Sequence, residues 1–105
     1  LVIGQMYLEM PLKAKNVKDF EELCNSSEGF AITKKQKGFV SAEWMISTSK
    51  DGSACFHLWE KWKAVQDFEN YMQTPKRAAG SDFATAVGQW ADGDVRIFWG
   101  SVATI

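Results

Sequence analysis

Apolar and polar positions alternate from the start of the chain. Over residues 2–10, Gly4, Met6, Leu8 and Met10 share one face, and Ile3, Gln5, Tyr7 and Glu9 share the other. That is the two-residue period of a strand, which Pro11 closes. From Asn16 the period becomes helical. Asn16 is the candidate N-cap with Asp19 as its acidic partner, and Val17, Phe20, Leu23, Cys24 and Ser27 form one apolar stripe. This helix is expected to end between Glu28 and Lys37, with Gly38 as its last limit. Alternation returns over residues 39–48, with Val40, Ala42, Trp44 and Ile46 on one side. Asp51-Gly52 is a tight-hairpin pair, so a third strand over 54–62 must run antiparallel to the second. It places Ala54, Phe56, Leu58 and Trp62 on one side and Cys55, His57, Trp59 and Lys61 on the other. A second helix over 64–73 aligns Val65, Phe68 and Met72 before Pro75 breaks it. Residues 76–91 are again helical, interrupted near Gly80-Ser81, and use Phe83, Val87 and Trp90. Asp92-Gly93 turns into a last strand over 94–104.

The element order is β-α-β-β-α-β. Lys18-Asp19-Phe20-Glu21 at the opening of the first helix is echoed by Gln66-Asp67-Phe68-Glu69 in the second, a faint internal repeat. Two such halves pack as a four-stranded antiparallel sheet with both helices on one face, the α+β ferredoxin-like architecture, in one domain spanning residues 1–105. The uncovered face would carry Tyr7, Phe39, Met45, Trp59 and either Phe98 or Trp99. A solvated sheet face should alternate into polar residues, so the expected cover is the same face of a second copy in a two-fold homodimer.

Five Trp and seven Phe in 105 residues are a heavy apolar load for one small core. Twelve basic and thirteen acidic residues give a net charge of −1 with no basic block, which removes the electrostatic signature of a nucleic-acid partner. No apolar run approaches the length of a membrane span. Cys24 and Cys55, with one His in the chain, offer no metal-ligand spacing, and no glycine-rich phosphate loop occurs. The expectations are reduced thiols, no bound metal or cofactor, and a cytoplasmic location.

Single motifs are sparse. Lys37-Gly38-Phe39-Val40 resembles the aromatic core of an RNA-recognition motif, but falls on the second strand, where that family uses the third. His57 is the one conventional general base near neutrality, and strand parity sends it to the open face beside Cys55. Glu43 and Glu60 are mid-strand carboxylates, expected to be ion-paired, with Lys61 and Lys63 the neighbours of Glu60. A general-base role is the minority reading.

The run from Leu58-Trp59-Glu60-Lys61-Trp62 to Thr74-Pro75, preceded by Gly38-Phe39-Val40-Ser41-Ala42-Glu43, resembles the antibiotic-biosynthesis-monooxygenase-like group of dimeric α+β barrel proteins. The resemblance implies a homodimer with an apolar pocket between sheet and helices. It also implies oxygenation of aromatic polyketide- or quinol-like substrates without metal, haem or flavin. On that basis Trp62 and Tyr71 are the candidate catalytic residues. The expected pocket lining is Met6, Leu8, Trp44, Phe56, Leu58, Phe68, Met72, Phe83 and Trp90. Leu58 stands where similar catalytic members carry Asn, Phe68 where they carry Tyr, and Tyr71 where many relatives carry His. The alternative reading is a non-catalytic homodimeric binder of an apolar ligand such as a fatty acyl or polyketide-like molecule.

Overall fold

The computed structural model describes residues 4–105. Its strands are β1 (Gly4–Leu12), β2 (Phe39–Thr48), β3 (Ala54–Trp62) and β4 (Arg96–Gly100). Its helices are α1 (Val17–Asn25), α2 (Phe30–Thr33), α3 (Val65–Met72) and α4 (Asp82–Trp90). The strands form one antiparallel sheet in the order β2-β3-β1-β4, the ferredoxin-like topology. The core fills the space between one sheet face and the helices. Met6, Met10 and Leu12 of β1 and Phe56, Leu58 and Trp62 of β3 meet Phe20 and Cys24 of α1 and Phe68 and Tyr71 of α3.

β2 and β3 occupy the predicted ranges, while the other boundaries differ for local reasons. The predicted beginning of β1 at residue 2 lies outside the described residues. Its end runs through Pro11 to Leu12, because β4 pairs only with Gln5–Glu9. Past Glu9 the segment after α4 replaces β4 as its neighbour: the Asp92 N–H donates to the Pro11 carbonyl at 2.8 Å and Leu12 bridges Ala91, a short contact at the sheet edge that does not need the N–H that proline lacks. β4 is correspondingly shorter than the predicted 94–104. The first helix stops at Asn25, where Ser26 turns the chain into an extended conformation and its hydroxyl donates to the Leu23 carbonyl. Gly29 follows, so close to the carbonyls of Leu23 and Cys24 that an added Cβ would collide with both oxygens. A separate short helix, α2, begins immediately after it. Asn16 does flank α1, but its side chain donates to the Asp19 carboxylate instead of capping a backbone N–H. Ser81 caps α4 by accepting from the Ala84 N–H.

One alternation changes register. A β-bulge at Val40 pairs Phe39 with Trp62 and Ser41 with Lys61. Phe39 thus joins the helix side, edge-on to Trp62 at 5.5 Å, while Val40 is exposed. This reverses the expected sides of both residues, since a bulge inserts one residue into the pleat. On β4, Phe98 faces the open side and Trp99 packs edge-on against Phe68 of α3.

Candidate functional site

Between the sheet and the helices lies a cavity of about 210 Å³. β1 and β3 supply its floor through Leu8, Met10, Phe56, Leu58 and Glu60, and α1 and α2 contribute Phe20, Cys24, Phe30 and Thr33. Phe68, Tyr71, Met72, Arg77, Phe83 and Val87 form the remaining wall. Met72, Val95 and Ile97 are the exposed members of the lining, so the mouth opens between α3 and β4.

Of the residues expected to line this space, Leu8, Phe56, Leu58, Phe68, Tyr71, Met72 and Phe83 do so. Four do not. Met6 and Trp62 are completely buried in the core on the same side of the sheet, beside the cavity and outside its lining. Trp44 stacks on Phe30, which stands on the cavity wall in its place, and Trp90 packs edge-on to Phe20.

Four polar side chains meet this apolar space, and three were not assigned to it by sequence. Glu60 is only 2% exposed, and it lies on the helix side because it shares strand parity with Leu58 and Trp62. It is not ion-paired with Lys61 or Lys63 among the described residues; Trp62 Nε1 donates to its Oε1 at 3.0 Å instead. No hydrogen bond reaches Oε2 from the described residues, and none of their side-chain N or O atoms is both sealed and unpartnered. Oε2 is therefore the oxygen open to the cavity. Burial pushes the Glu60 carboxyl up to about 7, against the opposing pull of the Trp62 hydrogen bond and the Arg77 charge.

The opposite wall is built around Arg77, itself 4% exposed. Its Nε donates to the Tyr71 hydroxyl at 2.5 Å and its Nη2 to the Gly29 carbonyl at 2.8 Å, and its guanidinium lies 3.8 Å from the centre of the Phe83 ring. Tyr71 Oη also meets Thr33 Oγ1 at 2.6 Å. Burial raises the Tyr71 phenol above its ordinary range, with Thr33 and Arg77 opposing. Burial likewise pushes the Cys24 thiol up to about 12, so it stays protonated. Strand parity alone marks the side on which Glu60 lies. Nothing in the pattern marks Arg77, which follows Pro75 in an irregular segment, or Thr33.

The open sheet face carries a second polar set. Tyr7 donates to Glu9 Oε2 at 3.0 Å, so the 2.8 Å contact between its oxygen and His57 Nδ1 is donated by the imidazole. His57 Nε2 and Ser47 Oγ share a hydrogen bond at 2.8 Å, and Arg96 backs Glu9 at 3.0 Å. Both cysteines are free thiols. Among the described residues no cluster of three or more His, Cys, Asp or Glu is placed to hold a metal ion, and no helix is long and apolar enough to cross a membrane.

No protein-family model matches the chain, and no curated protein matches its sequence. Solved structures do match. A putative antibiotic biosynthesis monooxygenase from Nitrosomonas europaea superposes with a TM-score of 0.72 at 15% identity, covering 95% of this chain and 89% of that one. A monooxygenase from the ActVA-Orf6 gene of Streptomyces coelicolor, in complex with nanaomycin D, gives 0.72 at 18% identity over 99% and 90% of the two chains. SnoaB, a cofactor-independent oxygenase from Streptomyces nogalater, gives 0.70 at 15% identity over 98% and 95%. The chain has the ferredoxin-like fold of the antibiotic biosynthesis monooxygenase structures.

Proposed function

We propose that this protein is a cofactor-independent monooxygenase acting on aromatic polyketide- or quinol-like substrates, with Glu60 as its general base. The observation that carries the reading is a lone carboxyl, pushed up to about 7, whose free oxygen faces a mostly apolar cavity that it shares with Thr33, Tyr71 and Arg77. A base works best when its pKa lies near the operating pH, and such catalysis contributes about 10²–10⁴-fold. Glu60 Oε2 takes a proton from a methylene flanked by a carbonyl and an aromatic ring. The resulting carbanion passes an electron to dioxygen, the two radicals combine and take up a proton, and the hydroperoxide loses water to leave a new carbonyl. One oxygen atom enters the product and the other leaves as water. Negative charge that shifts onto the substrate carbonyl is met by Tyr71 and Arg77 on the facing wall. Trp62, buried beside the cavity, touches Glu60 and does not line the substrate space. Oxygen uptake with anthrones and quinols tests the reading. Wild type should consume oxygen and Glu60→Gln should lose at least about 100-fold, while both retain ligand binding. Full activity in Glu60→Gln would remove Glu60 from the reaction. Binding without turnover in wild type would favour the non-catalytic binder, a reading supported by the largely apolar lining, including Leu58 and Phe68.

The active species in this proposal is a homodimer joined through the open sheet face. Phe98, Tyr7 and Trp59 form a continuous aromatic strip there, with ring centres 5.9 and 5.3 Å apart, and Met45 lies exposed on the same face. No described helix covers it.

A further inference from the structure

We propose that Trp62 is a positioning residue for Glu60: its indole N–H, 3.0 Å from Oε1, fixes the carboxyl so that Oε2 alone is presented to the cavity. The inference deepens the general-base reading of Glu60 and rests on it for its catalytic meaning. Trp62 is suited to hold rather than to bind. It is 0% exposed, stacked on Tyr71 with ring centres 5.6 Å apart, and flanked edge-on by Phe68 and Phe39. These rings immobilise the indole, so its N–H has one fixed direction, and Glu60 is two residues back on the same face of β3. The bulge at Val40 belongs to this arrangement, because it turns Phe39 onto the indole. The hydrogen bond offsets part of the cost of ionising a carboxyl in an apolar space. Other groups facing Glu60 are few. β1 and β2 pair Met6 and Ala42 with it, α1 gives the protonated Cys24 to the same cavity, α3 gives Tyr71, and the segment after α3 gives Arg77. Arg77 is the one cation among them, and it is already engaged by Tyr71 and Gly29. The directed donor to Glu60 is therefore Trp62.

Carbon-13 NMR of the Glu60 carboxyl, titrated in ligand-free protein, tests this without any substrate. Trp62→Phe keeps a ring and removes the N–H, and it should move the midpoint up by about one pH unit, a tenfold fall in the ratio of ionised to protonated carboxyl at any fixed pH. An unchanged or lower midpoint in a folded Trp62→Phe protein overturns the proposal. A second readout uses wild type, in case the variant does not fold. The Trp62 indole N–H resonance should titrate with the midpoint of Glu60 and become pH-invariant in Glu60→Gln. A pH-invariant indole in wild type overturns the proposal equally. Loss of the general-base reading would appear separately, as oxygen uptake that survives Glu60→Gln while the indole still follows the carboxyl.

Discussion

A carboxyl that keeps its proton to about pH 7 when folded, against an ordinary value of 4.5, makes stability depend on pH in a definite direction. Between those values the folded chain holds a proton that the unfolded chain has released. Stability therefore falls as pH rises through that window, and above it the full cost is about 3 kcal/mol. Glu60→Gln removes the linkage while leaving an oxygen to accept from Trp62. At pH 8 the variant should be more stable than wild type by up to about 3 kcal/mol, with little difference at pH 4, as read from urea unfolding at both values. An equal effect at both pH values would show that Glu60 ionises normally in the folded protein. A stabilising substitution that abolishes turnover is the signature of a group held at a cost for its chemistry. Trp62→Ala should do the opposite, costing about 3–5 kcal/mol, because the ring is fully packed and its loss leaves a void. Half of this relation was legible in the sequence. Alternation along β3 places residue 60 beside Leu58 and Trp62, but the neighbouring Lys61 and Lys63 suggested an ion pair that the pleat forbids Lys61, by sending it to the other face. Tyr71 was a candidate through the family resemblance, since the helical stripe of Val65, Phe68 and Met72 leaves it out. Arg77 was not, since its burial depends on the Gly29 carbonyl and the Phe83 ring, both distant in sequence.

Elements bounded by local signals were legible, and those decided by packing were not. The Asp51-Gly52 hairpin and the clean alternation on either side of it define β2 and β3 to the residue. The bulge at Val40 has no such signal, because Phe and Val suit either face of a strand; the seat against Trp62 decides between them. The break between α1 and α2 has a signal only in hindsight. Gly29 is a weak mark in a helical pattern, yet the approach of two carbonyls leaves no room for a Cβ. The same residue supplies the carbonyl that receives Arg77 Nη2, so the break holds one wall of the cavity in place. Gly29→Ala must push α2 away from α1, and a cost of about 3 kcal/mol is expected in chemical denaturation. Ligand affinity should fall with it, since Arg77 and Tyr71 lose their support. A variant with unchanged stability and affinity would show that the α1–α2 connection can shift without disturbing the cavity.

The whole molecule divides its aromatic residues between the two faces of one sheet. On the helix side they enclose the cavity and the buried Trp62, and most of that set is packed. On the other side Tyr7, Trp59 and Phe98 stack against one another without a covering element, and the polar chain through Ser47, His57, Glu9 and Arg96 is satisfied within the protomer. A second copy can therefore dock on this face without leaving those four groups unpaired, which removes a common penalty of burying polar residues. Trp59 is 39% exposed and sits between Tyr7 and Glu43 on the neighbouring strands. In a two-fold pairing of this face, Trp59→Glu adds a carboxylate per protomer next to Glu43 and near its symmetry mate. Taking such charges out of water without partners costs several kcal/mol, enough to dissociate a standard interface. Sedimentation velocity at micromolar concentration should give a dimer for wild type and a monomer for Trp59→Glu. The helix-side cavity lies across the sheet from this substitution, so the monomer should keep its ligand affinity if the cavity is complete within one chain. A wild-type monomer would overturn the dimer, whereas a Trp59→Glu monomer that loses ligand binding would show that the partner shapes the cavity through the sheet.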